Sequence, residues 1–115
     1  MHAVANASAW AVAFHSALAL RNQVSDDDVR AIRERRLPSA PKHAALSRLA
    51  CQLIENRGHV SAAELQTFLN AGFRQEHILE ILTILAASTI TNYAASTANP
   101  PLEPQFQEHA WNPKA

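Results

Sequence analysis

The stretch SAWAVAFHS, residues 8–16, decides the fold, because it can be read in two ways. Alanines at 3, 5, 7, 9, 11 and 13 recur with the two-residue period of a strand. Alanine is also the strongest helix former and a poor strand former, so the helical reading wins. At about 3.6 residues per turn, Ser8, Ala11, Val12, His15 and Ala19 then share one stripe, with no charged residue among Asp, Glu, Lys and Arg. His15 is the member of that stripe able to move a proton, which makes it the first candidate functional residue. The stripe predicts His15 on the inner face, mostly buried, facing a later helix that carries Ile81, Leu85 and Asn92. Burial predicts a pKa below the ordinary histidine value of about 6.5.

Working outward, the first helix is expected over residues 2–21. SDDD, residues 25–28, opens the second: Ser25 is a good N-cap and three aspartates suit the positive end of the helix dipole. LPSAP breaks the chain after it. A third helix over 41–57 places Ala45, Leu46, Leu49, Leu53 and Ile54 at helical spacing, with Gly58 as the expected C-cap. Ser61 and Glu64 form a capping-box pattern for a fourth helix ending at Gly72. The fifth, over 75–98, carries Ile78, Ile81, Leu82, Leu85 and Ala86, and NPPLEP ends it. An all-α domain of about five helices follows, spanning residues 1–99. Residues 100–115 form an extension whose Phe106 and Trp111 are expected to dock on the core or on a neighbouring subunit. LRNQVSDDDVRAI (20–32) and LNAGFRQEHILEI (69–81) echo each other at a separation of 49 residues, each pairing a helix end with an apolar plug and a new helix start.

Composition narrows the function. The chain has 115 residues, 48% of them hydrophobic and 17% charged, with zero formal net charge. That suits one globular domain and argues against nucleic acid or an anionic membrane as partner, since both need excess Lys and Arg. Cys51 is the single cysteine, so no internal disulfide is possible. The apolar N-terminus lacks the basic segment of a signal peptide and the uninterrupted apolar length of a membrane span. A reducing, cytoplasmic setting is expected.

The order VAFHSALAL, VSDDDVRAI, HAALSRLACQLIENRGHVSAAEL, AGFRQEHILEILTILAASTITNY resembles the carboxymuconolactone decarboxylase and alkylhydroperoxidase D-like superfamily over about residues 4–95. The tail PPLEPQFQEHAW resembles the extension of a peroxidase-related subgroup. The resemblance implies an alkylhydroperoxidase D-like helical domain, a thiol-dependent peroxidase (antioxidant oxidoreductase) activity, and homo-oligomers, commonly trimers or hexamers, with a dimer also open. It implies no cofactor. The peroxidase members carry Cys-x-x-Cys-x-x-x-His. Ser8 stands at the place of the first cysteine, Ala11 at the second, and His15 matches the histidine. A thiolate must attack and a second thiol resolve; a serine hydroxyl is un-ionised at neutral pH and an alanine is inert. The family's proton-relay glutamate lies in a preceding helix, for which the seven residues before Ser8 leave no room. The decarboxylase members place a carboxylate near the histidine, and Ala11 and Val12 supply none. A naturally degenerate member, a chain lacking its beginning, and a variant with its cysteines replaced all fit this pattern.

The implied activity is therefore expected to be absent. The alternatives are a non-catalytic oligomeric or small-ligand-binding module, with its small molecule unspecified, and a decarboxylase using His15 as base. Trp10 reads as core or interface, Cys51 as a small core residue, and Glu80 as an exposed helical carboxylate. Asn92 and Tyr93, late in an apolar helix, suggest a hydrogen bond toward His15. His43, His59 and His77 lack metal-ligand spacing, so no metal site is expected.

Overall fold

The computed structural model describes residues 1–113, and they form an all-α fold with no strand among them. The helices are α1 (His2–Ala5), α2 (Ala9–Arg21), α3 (Asp26–Arg33), α4 (Pro41–Glu55), α5 (Ala62–Asn70) and α6 (Gln75–Ala98), followed by a 3-10 turn, Pro104–His109. Two apolar clusters hold them. Ala3, Val4, Ala11 and Val12 pack with Trp10, Ile32 and Trp111, while Leu49, Leu53, Phe68 and Ile81 pack with Phe73, Ile78 and Leu85. Phe68 and Phe73 stack with centroids 4.4 Å apart.

The expected first helix is two helices. Ala7 adopts a left-handed φ of 53°, Ser8 is extended, and the break turns α1 back over α2. The cause lies in a helix-ending motif that needs no glycine. Ala7 N–H bonds the Val4 carbonyl and Ser8 N–H the Ala3 carbonyl, a Schellman closure. The same pair of bonds ends α2 around Gln23, α3 around Arg35 and α4 around Arg57, each with positive φ. The C-cap of α4 is thus Asn56 with Arg57 left-handed, and Gly58 comes one residue later than expected. Ser25 and Ser61 do cap α3 and α5, and Ser61 with Glu64 closes a full capping box. The 49-residue echo is seen in backbone geometry: Gln23 between α2 and α3, and Gly72 between α5 and α6, both turn with positive φ.

The segment after α6 lies against α2 and α3. Trp10 donates its indole N–H to Glu103 Oε2 at 2.9 Å, and Phe14 packs edge-on against Phe106. Arg33 bonds the Ser16 hydroxyl and the carbonyls of His109 and Ala110, each within 2.9 Å, and the Trp111 indole donates to the Arg33 carbonyl.

Candidate functional site

Ser8 is the N-cap of α2, yet its hydroxyl makes no capping bond. The residue is 2% exposed, and its Oγ has no hydrogen-bond partner among the described residues. Ala11, one turn on, is equally enclosed. The two positions that the resemblance pairs therefore sit at a buried helix N-terminus, where a thiolate would be favoured by the helix dipole. With Ser and Ala there, no ionisable group occupies that place.

Ser8 lines a half-open cavity of about 320 Å³ between the start of α2, the end of α6 and the C-terminal segment. Trp10, Ser96, Asn99, Leu102 and Trp111 form much of the remaining wall, and among the described residues no charged side chain contributes to it. Asn92 lies one turn before Ser96 on the inward face of α6. It is 1% exposed, and neither its amide nitrogen nor its oxygen has a partner among the described residues. His2 Nδ1 and Asn6 Nδ2 are likewise unpartnered. His2 Nε2 reaches Thr89 Oγ1 at 3.4 Å, joining α1 to α6 three residues before Asn92. Buried polar atoms without partners cost about 1–3 kcal/mol each, and of these residues Ser8 is the one that lines the cavity.

His15 is exposed rather than buried. α1 packs on Ala11 and Val12, and His15, one turn further along α2, is left at the surface. His15 borders a separate, small cavity of about 80 Å³ with Met1, Val12, Val29 and Arg33, and its ring meets Phe14 edge-on at 5.2 Å. Its pKa is lowered, first by desolvation of its inner flank and second by the positive amino terminus. His2 is lowered for the same two reasons, with His15 a further cause. Ser8 and His15 thus line different cavities, and Asn92 does not bond His15.

Cys51 is half-buried, and burial, then Glu55, pushes its thiol pKa upward, which opposes thiolate formation. Glu80 and Tyr93 face outward. His77 Nδ1 accepts the Arg74 N–H at the start of α6. Among the described residues no group of three or more His, Cys, Asp or Glu side chains could hold a metal ion.

Sequence reasoning assigned Asp28 to the helix dipole and missed its larger role. Its carboxylate is buried and accepts from the Ser39 N–H at 2.7 Å and the Ser39 hydroxyl at 2.9 Å, with His43 Nδ1 at 3.5 Å. The Ser39 amide is the largest cause holding Asp28 below the usual carboxylate range. The signal was local: SDDD precedes LPSAP by a distance that lets the loop fold back onto the cap.

No family model matches this chain, and no curated protein matches it with significance.

Proposed function

We propose that this chain is a non-catalytic member of the alkylhydroperoxidase D-like superfamily that binds a small, uncharged molecule where the family's dithiol would stand. The observation that carries this reading is the unpartnered hydroxyl of Ser8 beside the cavity of about 320 Å³ that Ser8 lines, whose wall carries no charged side chain among the described residues. That volume falls at the lower end of small-molecule sites, which bury most of their ligand against apolar walls and orient it with a few polar groups. Thiol peroxidase chemistry has no support here: Ser8 and Ala11 cannot form a thiolate or a disulfide, and the thiol of Cys51 is disfavoured as a thiolate. A carboxylate ligand would meet no cation among the described residues of this wall.

Trp10 and Trp111, the chain's two tryptophans, both line the cavity, so its occupancy reports directly in intrinsic fluorescence. Cyclohexanol and small neutral amides should give a saturable change, and cyclohexanecarboxylate should give none. Saturation by the carboxylate, with no response to the neutral probes, would contradict the reading. The protein should also consume no hydrogen peroxide with dithiothreitol as donor.

A further inference from the structure

Helix α6 carries a face that the fold does not cover. Leu79 is 67% exposed, Leu82 41%, Ile90 72% and Tyr93 60%. With Ala86 they form one stripe, at spacings of three, four, four and three residues, roughly 110° around the helix from the inward face of Ile78, Ile81, Leu85 and Asn92. From Ile81 to Leu102 the sequence holds no charged residue. Thr83, Thr89 and Thr91 already donate their hydroxyls to carbonyls of their own helix, so drying this surface would strand none of them.

We infer that this stripe is the two-fold contact between two copies of the chain, with the α6 helices antiparallel and crossing at Ala86. The spacing is palindromic about Ala86: positions 79 and 93 are equally distant from it, as are 82 and 90. An antiparallel pair therefore sets Leu79 on the partner's Tyr93 and Leu82 on the partner's Ile90. Ala86 meets its own copy, where a methyl side chain lets the backbones approach. An isologous interface requires such self-matching, and nothing in the fold's own packing does. The stripe sets four large apolar side chains, each between 41% and 72% exposed, on one contiguous face of the kind that marks an interaction surface. Charge complementarity favours the same occupant: an uncharged face fits an uncharged face, and the charges of Arg74, Glu76 and Glu80 lie at the two ends of the antiparallel pair. By length and composition α6 could also cross a membrane. Its Ile81 face is part of the core, however, and insertion would pull that face away from Phe68 and Leu53.

The test uses the full chain with Cys51→Ser. Sedimentation equilibrium at micromolar concentration should give an even multiple of the 12.6 kDa chain. Ile90→Glu, at a position 72% exposed, should lower that multiple while leaving the helical circular dichroism unchanged. Ala86→Cys should cross-link to its own copy at least ten-fold faster on mild oxidation than Ile84→Cys, which is exposed but lies off the stripe. A monomer at all concentrations, an oligomer unaffected by Ile90→Glu, or equal cross-linking at 84 and 86 overturns the inference. So does a chain that is monomeric in buffer and sediments with phosphatidylcholine–phosphatidylglycerol vesicles, since the stripe's occupant would then be lipid.

Discussion

Ser8 and Ala11, which the resemblance sets at the positions of a redox pair, lie on an enclosed helix start and carry no redox chemistry. Ser8→Cys with Ala11→Cys should therefore create a bridgeable pair, read as the loss of two free thiols on mild oxidation in a Cys51→Ser background; two thiols that persist would mean that the α2 start lacks the family geometry. Asn92→Leu probes the buried amide of α6. Removing a buried amide without partners should stabilise the protein by about 1–3 kcal/mol in urea unfolding. A loss of stability would show that the amide is already satisfied. Titration adds a third expectation. His2 and His15 have folded pKa values below their unfolded ones, so the unfolded chain binds more protons and stability falls as pH drops through about 6.5. Asp28 has its folded pKa depressed, so its contribution persists above the unfolded value of about 4 and is lost as pH falls further. Melting temperature against pH should show both steps, with His15→Gln reducing the first and Asp28→Asn the second. At this scale the sequence made the buried stripe of Ser8, Ala11 and Val12 legible through helical phase. It misplaced His15, because helical phase says which side a residue faces and not how much of that side the fold covers. It marked Asn92 as a buried polar group, but a polar residue's partner is a tertiary fact with no local signature.

The ends expected at 21 and 98 fall at Arg21 and Ala98, whereas the break at Ala7 and the end of α4 were not readable. Ser25 and Ser61 announce α3 and α5 through side-chain oxygens that accept backbone N–H bonds, a requirement written in residue type. Four helix ends instead place Ala7, Gln23, Arg35 and Arg57 in left-handed backbone, where glycine is the expected residue and none occurs. Propensity therefore ran the first helix straight through the Ala7 break and placed the α4 cap at Gly58. The strain is measurable: Ala7→Gly and Arg57→Gly should each stabilise the protein by about 0.5–1 kcal/mol in urea denaturation. Destabilisation by either would mean that the side chain contributes more than its backbone costs.

Across the whole molecule, the helical class follows from alanine-rich patterning and from long apolar periods between Pro and Gly breaks, so it could be read directly. The cavity could not. It is formed by the start of α2, the end of α6 and residues Pro100, Leu102 and Trp111, three segments that are distant in sequence. Phe106 and Trp111 flagged a docking tail, but only the fold shows that Trp10 and Glu103 fasten it over Ser8's neighbourhood. The bulk of the account thus rests on whether that space is a ligand site. The most direct measurement is tryptophan fluorescence of the wild type and of Ala95→Leu, which narrows the cavity from the α6 wall, titrated side by side with cyclohexanol. The account predicts a saturable change in the wild type that weakens at least ten-fold in Ala95→Leu. Equal responses from the two proteins, or a linear solvent-like drift in both, would contradict it.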